Sequence, residues 1–450
     1  MLALRTVLLA ICSVTLLGSV ARSQANSVAL VHATLIDGTG APARTDINVI
    51  ITAGRIVSIG ESSRTSVPTG ADVLDATGKY LVPGLWDMHF HVLDFSNRRK
   101  ILGQLVASGV IAIREMAAPL DDALGARRAV RNGTLVGPRM VIAGPILQGP
   151  LPFPMPPMVR TTTDADAVKT VDDLKTAGVD FIKVGDTLSR EAYLTIAAEA
   201  RRVGLPLAGH LTPFVSAAEA VQAGQRSIEH FGSAGFRNLL IATSTEEASL
   251  SAYAQAALDR LRSRGEVPDA ALYSAEYTNR LVDTYSAEKA ATLFALFASK
   301  GTWLVPTFAV LNEAWGAQRA KLSAAEAAAT DRVSQKTYEM FKAARSAGVR
   351  ILAGTDLPIR DGVAPLHEEL RALVRAGMSE MEVLRTATHD SAEFLNLLDT
   401  TGTVEVGKDA DLLILDGNPL ADIRNTQQIS AIILRGKLLR KDDLKSLSAK

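Results

Sequence analysis

The feature that most constrains the fold is a regular alternation, through the middle of the chain, of short apolar runs with Ala-rich stretches of helical periodicity. Apolar runs of this length, bounded by turn residues, are typical of strands buried on both faces. Strands that alternate with helices form parallel βα units, and eight such units predict an α/β fold, a (β/α)8 TIM-like barrel. The eight runs lie at 82–91, 109–116, 139–144, 180–184, 206–211, 227–231, 302–308 and 350–356.

Both ends of the mature chain have a different pattern, in which short β-rich runs are separated by turns. Neither end contains enough apolar residues for a core of its own. We therefore expect residues 26–83 and 399–450 to pair into one small β-sandwich domain, with the barrel formed by residues 84–398. The chain has 48 basic and 48 acidic side chains, and this balance argues against a nucleic-acid partner.

Residues 1–25 have the features of a signal peptide. Arg5 precedes an apolar run over 7–17, and small residues follow at a suitable cleavage position. The run is short for a membrane span, so we expect export to the periplasm or beyond, without stable membrane insertion after cleavage. The single cysteine, Cys12, lies in this segment. The mature chain then has no thiol, and a metal ion would need His, carboxylate or modified Lys ligands.

Histidine, lysine and aspartate side chains, which can bind metal ions, lie where the predicted strands end. His89 and His91 are one residue apart, so in a strand both point to the same side. A single strand histidine is more often a hydrogen-bonded core residue, and an aspartate here could simply cap a helix. Six such residues at the same end of different strands, where barrels hold their active sites, instead predict a metal site: His89, His91, Lys183, His210, His230 and Asp356.

Lys183 is the most informative of the six. It lies inside the apolar run DFIKV, where burial is costly for an ammonium group and favours the neutral amine. A neutral amine can react with carbon dioxide to form a carbamate, an anionic group whose two oxygens could bridge two metal ions.

With these motifs the chain resembles the amidohydrolase superfamily, and within it the exported relatives of Xaa-Pro dipeptidases and imidazolonepropionase-like proteins. The resemblance covers nearly the whole mature chain and rests on VPGLWDMHFHV, DFIKV, GLPLAGHLT, SIEHF, LAGTD, LHEELRALVRAGMSEMEVLRTAT and GTVEVGKDADLLILDGNPL, in this order. It implies two divalent ions, usually zinc, bridged by a carbamate on Lys183. The other implied ligands are His89, His91 and Asp356 for the first ion, and His210 and His230 for the second.

The resemblance also implies a reaction. A hydroxide between the ions would attack the carbonyl carbon of a dipeptide, an N-acyl amino acid or a similar small amide, while Asp356 takes the proton and passes it to the departing amine. A lactonase and a mononuclear cyclic-amide hydrolase stay open as alternatives. Deamination is disfavoured because Pro213 stands where deaminases of this superfamily typically have glutamate. The non-enzymatic alternative is an exported solute-binding protein.

Residues that hold the substrate are harder to predict. Arg114 and Arg360 follow strand ends and could bind a substrate carboxylate, and Glu115 could orient a histidine. Phe153 lies in an apolar, Pro-rich loop over 145–158, which could form a hydrophobic wall or simply pack on the barrel. The helical segment 232–301 could be a lid or plain scaffold. Association into a homo-oligomer stays open.

Overall fold

The structure is a computed structural model that describes residues 27–151, 157–232, 237–265 and 274–449. The predicted signal peptide and Phe153 lie outside these residues. Within the described ranges, no helix combines the length and apolar character needed to cross a membrane.

The strands occur in two blocks. Those of the N-terminal segment are β1 Ser27–Leu35, β2 Arg44–Thr52, β3 Arg55–Glu61, β4 Asp72–Asp75 and β5 Tyr80–Pro83. The strands of the middle of the chain are β6 Leu85–Phe90, β7 Val110–Glu115, β8 Arg139–Ile142, β9 Ile146–Gln148, β10 Met158–Arg160, β11 Ile182–Val184, β12 Leu207–Gly209, β13 Gln225–Glu229 and β14 Trp303–Val305. The C-terminal strands are β15 Leu412–Leu415, β16 Ile429–Leu434 and β17 Lys437–Leu439.

Helices lie mainly between the middle strands. The α-helices are α1 Arg98–Ala107, α2 Leu120–Arg131, α3 Asp164–Ala177, α4 Arg190–Arg202, α5 Ala217–Gln222, α6 Asn238–Ala242, α7 Glu247–Arg264, α8 Ala275–Asp283, α9 Ala287–Lys300, α10 Phe308–Arg319, α11 Ala324–Ser346, α12 Leu366–Arg375, α13 Glu380–Thr386, α14 His389–Phe394 and α15 Lys441–Ala449. Short 3-10 helices cover Phe95–Asn97, His230–Gly232 and Ile423–Gln427.

Local sequence explains where several of these helices begin and end. The side chains of Ser189 and Ser216 accept hydrogen bonds from backbone N–H groups in the first turns of α4 and α5. Thr163 forms a capping box with Asp166 at the start of α3. At the other end of α3, Gly178 adopts a left-handed conformation (φ 86°), which glycine tolerates without a Cβ clash. These caps limit each helix to the space between two strands.

Strands from both ends of the chain share one eight-stranded sheet. The strand order is β17-β16-β15-β5-β1-β2-β3, and β4 pairs with β1. The two ends meet where β15 pairs antiparallel with β5. Alternate residues of β15 enter different cores: Leu412 and Ile414 pack within the terminal sheet, whereas Leu413 and Leu415 join the large core of the middle segment. Because successive side chains of a strand point to opposite faces, β15 packs against both cores and holds the terminal sheet on the middle segment.

The middle of the chain is an α/β fold built on parallel strands. One sheet has the order β6-β7-β8 and the other the order β10-β9-β11-β12-β13-β14. Asp180 N–H, just before β11, donates to the carbonyl of Ile142 in β8 (2.8 Å), and Met88 N–H in β6 donates to the carbonyl of Ala353 in the predicted eighth run (2.8 Å). The predicted eighth run, 350–356, lies beside β14 through a parallel bridge between Leu304 and Ile351.

Two segments add to the predicted pattern. Part of the loop over 145–158 forms β9, and β9 and β10 pair parallel with each other, while Leu147 of β9 pairs with Val184 of β11. The segment 232–301 is helical in its described parts, as α6 to α9. The carboxyl ends of the parallel strands place the predicted ligands together, since His89 lies in β6, Lys183 in β11, and the other histidines directly after their strands.

Candidate metal centre

Four histidine rings converge at the carboxyl ends of the parallel strands. The ring of His89 lies 5.3 Å from that of His91 and 4.6 Å from that of His230, and the rings of His210 and His230 are 5.2 Å apart, all measured between centroids. The side chains of His89 and His230 are almost fully buried. The structure therefore brings together all four strand-end histidines predicted from the sequence.

Hydrogen bonds define which nitrogen of two of these rings carries the proton. His89 Nδ1 lies 2.8 Å from Glu229 Oε2, and a carboxylate can only accept, so Nδ1 donates. His230 Nδ1 lies 2.6 Å from the hydroxyl of Thr307, which already donates its proton to the Pro306 carbonyl and so accepts from the ring. In both histidines the Nε2 lone pair is thereby left to bind a cation.

The Nε2 atoms face the carboxylate of Asp356. Asp356 Oδ1 lies 3.2 Å from His91 Nε2 and 3.7 Å from His89 Nε2, and Oδ2 lies 3.4 Å from His230 Nε2. The ligand atoms of His89, His91 and Asp356 all lie within 4.8 Å of one another. Lone pairs and a carboxylate repel unless a proton or cation lies between them. A divalent ion resolves this arrangement, and imidazole with carboxylate is a donor set that zinc accepts.

His210 provides an independent indication of a ligand. Its Nδ1 atom is buried and has no hydrogen-bond partner among the described residues, and Asp186 Oδ2 lies 3.7 Å away. A buried polar atom without a partner costs about 1–3 kcal/mol. Coordination of a cation by Nδ1 would remove that cost, and the ring of His210 lies next to that of His230.

Lys183 lies in the middle of this group, and its side chain is 1% exposed. Burial, together with the positive charge of Arg114, lowers the pKa of Lys183 to about 8, although the negative charges of Glu229 and Asp356 oppose the shift. The side chain passes closely over Gly209, where a Cβ would lie 3.1 Å from Lys183 Cδ and 2.2 Å from the Val184 carbonyl oxygen. Only glycine at position 209 accommodates this path.

Burial and neighbouring charges also shift the pKa values of Asp356, His91 and His230. Burial alone would raise the pKa of Asp356, but the hydrogen bond from His91 and the nearby charges of His230 and Lys183 hold it below its usual range. Burial would lower the pKa of His91, yet Asp356 and Glu115 raise it to about 9. Burial lowers the pKa of His230 to about 3. Asp356 is therefore ionised at neutral pH, next to a largely neutral histidine cluster.

Backbone strain accumulates at the ends of these strands. His230, Thr307 and Asp356 have positive φ values of 52°, 49° and 55°. Conformations of this kind cost of order 1–3 kcal/mol each for residues other than glycine, and they occur preferentially at functional sites. Here they turn three side chains towards one point at which the strands end.

The predicted substrate residues occupy different positions. Arg114 is 1% exposed and donates to the Met88 carbonyl (2.6 Å), to Ser227 Oγ (2.9 Å) and to Glu229 Oε1 (2.9 Å). These contacts occupy its guanidinium group inside the strands, and one of them holds Glu229. Arg360 is exposed and forms two 2.6 Å hydrogen bonds to Glu313, which a substrate carboxylate would have to displace.

Glu115 lies against the first histidine pair. Its Oε1 is 3.6 Å from His91 Nδ1, and the carboxylate accepts from the backbone N–H groups of Val92 (2.7 Å) and Ala117 (3.2 Å). Its main contacts therefore fix the loop that follows β6, and its contact with the histidine ring is longer.

Sequence reasoning missed Glu229, Thr307 and Asp87. Glu229 orients His89, Thr307 orients His230, and the buried carboxyl of Asp87 accepts from Thr355 Oγ1 (2.7 Å) and from His89 N–H (3.1 Å). Asp87 and Glu229 lie in strands that lead to a site residue, β6 and β13, whereas Thr307 follows β14. Glu229 directly precedes His230, and this buried acidic position in an apolar strand was the available signal.

A second group of possible ligands lies on α14. One ligand atom each of His389, Asp390 and Glu393 lie within 4.8 Å of one another. The guanidinium groups of Arg350 and Arg385 lie 3.4 Å and 3.2 Å from Asp390. Because these arginines neutralise the carboxylates, we interpret the group as an ion-pair network.

An α/β fold with histidines, a buried lysine and an aspartate at the carboxyl ends of its parallel strands defines a metal-dependent hydrolase. The model of the amidohydrolase family matches residues 80–439. The chain belongs to this family. The predictions of the family and of a hydrolase that acts on carbon–nitrogen bonds are therefore confirmed, and the solute-binding alternative is wrong.

Similar proteins agree with this placement. An uncharacterized protein of Mycobacterium tuberculosis is 26% identical over 419 residues, which are 89% of this chain and 94% of that protein. The crystal structure of a putative prolidase from Bifidobacterium longum has 26% identity and a TM-score of 0.69, and the match covers 94% of this chain and 98% of that one. A Xaa-Pro dipeptidase crystallised with methionine in its active site has 20% identity, a TM-score of 0.69 and coverages of 92% and 100%.

Two curated enzymes match over short segments only. A dihydroorotase of Trichlorobacter lovleyi is 46% identical over 48 residues, which are 11% of this chain and 11% of that enzyme. An imidazolonepropionase of Rhizobium rhizogenes is 40% identical over 74 residues, 16% of this chain and 18% of that enzyme. The chain thus aligns with about a tenth to a fifth of these two proteins, and their activities carry over only as proposals.

Proposed function

We propose that the chain binds two divalent ions, with zinc the preferred metal, and hydrolyses the amide bond of a dipeptide, an N-acyl amino acid or a similar small amide. The observation that carries the proposal is the arrangement around Asp356, where the Nε2 atoms of three histidines face one ionised carboxylate. The buried Nδ1 of His210 supports the second ion, because one ion does not account for four histidines, a lysine and an aspartate at one site.

The chain's own residues would perform the proton transfers. When bound, the two ions would polarise the scissile carbonyl and lower the pKa of water. Asp356 is ionised, and its side chain is 28% exposed, so its carboxylate can accept a proton from water and deliver it to the departing amine. His89 and His230 are fixed through Nδ1 by Glu229 and Thr307, and this keeps their Nε2 atoms in place during turnover.

Lys183 would complete the site as a carbamate. Its lowered pKa makes the neutral amine accessible near neutral pH. The Nζ lone pair then forms a bond to the carbon of carbon dioxide, and a proton leaves the nitrogen for solvent. The product is an anion in place of a buried cation, so it suits a position between two histidine pairs and removes the repulsion between an ammonium group and bound metal ions.

A small cavity of about 20 Å³, room for about one water molecule, lies beside His230 and has a mainly apolar lining. Its apolar lining residues are Phe231, Leu240, Leu311, Trp315, Val333 and Met340. Arg237 also lines this cavity, is 5% exposed and donates to Thr278 Oγ1 (3.1 Å). We therefore propose Arg237, instead of Arg114, as the residue that contacts a substrate carboxylate. A substrate with a free carboxylate suits an arginine at this position.

The names of the similar structures agree with such a substrate, since they include a putative prolidase and a Xaa-Pro dipeptidase. The test is a hydrolysis screen of the zinc-loaded protein against dipeptides and N-acyl amino acids, with lactones as a separate arm. Each amino-acid substrate is paired with its carboxamide. We expect the free acids to be preferred, and a screen in which only lactones react would contradict amide hydrolysis.

Arg237→Lys and Arg237→Met separate charge from packing at this position. We expect Arg237→Met to raise KM for free acids by about tenfold or more, since a charge-assisted hydrogen bond contributes about 1.5–3 kcal/mol, and to leave KM for carboxamides nearly unchanged. Arg237→Lys, which keeps the positive charge, should raise KM for free acids by a smaller factor. Equal losses for acids and carboxamides would show that Arg237 acts only in packing.

We propose that the middle segment forms a closed barrel and that the two ends of the chain form a β-sandwich, as the sequence indicates. Closure of the eight parallel runs into a (β/α)8 barrel is supported by the hydrogen bond from Leu352 N–H to the Leu304 carbonyl (2.9 Å) and by the one from Met88 to Ala353. A β-sandwich at the termini is supported by the shared apolar cluster of β1, β2, β15 and β16. Protection of these amides from hydrogen exchange in solution tests the barrel, and unprotected amides at Met88 and Leu352 would contradict closure.

Export is proposed on the basis of residues 1–25 alone. Expression of the full chain in a Gram-negative host, followed by fractionation and N-terminal mass spectrometry, tests it. We expect a periplasmic product that begins between residues 22 and 27. An uncleaved cytoplasmic product would contradict export.

A further inference from the structure

Two further cavities lie at the amino-terminal ends of the parallel strands, opposite the metal centre. One, of about 420 Å³, lies between α2, β8 and the terminal sheet, and the other, of about 350 Å³, lies under β11 to β13. Both are lined by Val141, Asp180 and Leu397, so they form one continuous depression, which we call the arginine groove. Its volume is in the range of cavities that hold small molecules.

Guanidinium groups outnumber carboxylates along the groove. Its charged lining residues are Arg114, Arg127, Arg131, Arg139, Arg226, Arg435, Asp180 and Asp411. Arg127 pairs with Asp180 (2.7 Å), and Arg139 pairs with Asp409 (2.9 Å). Within the described ranges, no carboxylate lies within 4.0 Å of Arg131, Arg226 or Arg435. The groove is therefore a concave surface with a net positive charge, which attracts anions.

One of these cations is held in place by a strained turn. Arg435 and Gly436 connect β16 to β17 with positive φ values of 49° and 77°. A two-residue turn of this kind favours Asn or Gly, and an arginine there costs about 1–2 kcal/mol. The buried carboxyl of Asp411 accepts from Arg435 N–H (2.6 Å) and stabilises the turn. The fold thus maintains an unfavourable conformation that places a guanidinium group in the groove.

The part under β11 to β13 adds apolar and aromatic surface. Phe181 and Phe394 line it, and the guanidinium carbon of Arg226 lies 5.2 Å from the ring centre of Phe394. Arg114 lies 5.5 Å and 5.3 Å from the two rings, and it separates this cavity from Glu229 and the metal centre. A molecule in the groove would therefore meet both cations and aromatic faces without reaching the site of hydrolysis.

We propose that the arginine groove is a binding site for a small organic anion that carries at least two negative charges and a flat apolar body. The charged groups would contact Arg131 and Arg435 in one cavity and Arg226 in the other, and the apolar body would pack on Phe394. A ligand with a single charge would leave one cavity unused. This proposal is independent of the substrate proposed above, because the groove and the metal centre lie at opposite ends of the strands.

Isothermal titration calorimetry of the zinc-loaded protein with 1,3-benzenedisulfonate tests the proposal. Sulfonates bind metal ions weakly, so the metal centre stays intact, and elemental analysis after the titration verifies this. We expect one saturable site per chain that weakens when chloride is added, since salt screens charge contacts. Benzenesulfonate, with one charge, should bind about tenfold more weakly.

Variants of single arginines locate the site. Arg131→Ala and Arg226→Ala should each weaken binding of the disulfonate about tenfold, the effect of losing one charge-assisted hydrogen bond. Arg128→Ala is the matched control, because Arg128 lies on the same helix as Arg131, is exposed and does not line the groove. It should retain binding within about twofold. Absence of saturable binding to the wild-type protein, or equal weakening by Arg128→Ala, would overturn the proposal.

Discussion

Replacing Glu229 by Gln isolates the orientation of His89 from its role as a ligand. The carboxylate of Glu229 accepts from His89 Nδ1 (2.8 Å), from Arg114 Nη2 (2.9 Å) and from Ser227 Oγ (2.5 Å). A glutamine amide has one oxygen and one NH2 group. In either orientation its NH2 group therefore faces another N–H donor, either that of His89 or that of Arg114.

The magnitude follows from these contacts. Removing one partner of a buried ion pair costs about 3–5 kcal/mol, and Glu229 and Arg114 are 0% and 1% exposed. Loss of a partner that orients a metal-binding histidine typically weakens metal binding by about 10–100-fold. We expect Glu229→Gln to lower both the free energy of unfolding and the affinity for zinc by about these amounts.

Zinc competition against a coloured chelator, together with thermal unfolding of the metal-free protein, measures the two effects separately. Glu313→Gln is a suitable control because it removes a carboxylate from an exposed ion pair with Arg360, where the expected change in stability is below about 1 kcal/mol. A Glu229→Gln protein with wild-type zinc affinity would refute the reasoning that Glu229 fixes the imidazole for coordination.

Three further predictions concern buried groups. Lys183→Ala should lose at least one metal ion and most activity, whereas Lys183→Glu should retain part of the metal. Elemental analysis measures the metal content of both variants. Two ions bound to the Ala variant would contradict a bridging lysine. Gly209→Ala should lower the free energy of unfolding by about 3 kcal/mol or more because its Cβ meets the Val184 carbonyl at a φ of +133°. Gly133→Ala, with φ +77° and open space around its Cβ, should cost only about 1 kcal/mol, and equal costs would contradict the steric argument. Burial raises the pKa of Glu369 to about 8. The protonated carboxyl therefore contributes stability that is fully present below the unfolded pKa of about 4.5 and is lost as the pH rises through 8. Glu369→Gln should gain stability relative to wild type at pH 8.5 but not at pH 4, and a difference in the free energy of unfolding that is independent of pH would contradict the assignment.

The strands and the places of the candidate ligands along them could be predicted because buried strands have a recognisable apolar pattern. A strand enclosed on two faces must be apolar, so a histidine or lysine at its end is conspicuous in the sequence. His89, Lys183 and Asp356 lie next to one another because parallel strands end at the same edge. The positions of these residues could be inferred without knowing how any strand pairs.

The partners of the ligands could not be predicted in the same way. Arg114 was a candidate for binding a substrate carboxylate because it lies at the end of the second predicted strand, but Glu229, 115 residues away in the sequence, pairs with it inside the strands. Thr307 is one of many threonines, and its role depends on a positive φ. The strands β9 and β10 have only three residues each and occupy a Pro-rich segment, so no periodicity indicates them.

The metal stoichiometry of activity tests the central claim most directly. Metal-free protein is titrated with zinc in the presence of bicarbonate, and hydrolysis of the best amide substrate from the screen is measured after each addition. We predict that activity rises until two equivalents of zinc per chain are bound and that Lys183→Ala abolishes the second equivalent. Full activity at one equivalent, unchanged in Lys183→Ala, would contradict a two-metal site bridged by Lys183.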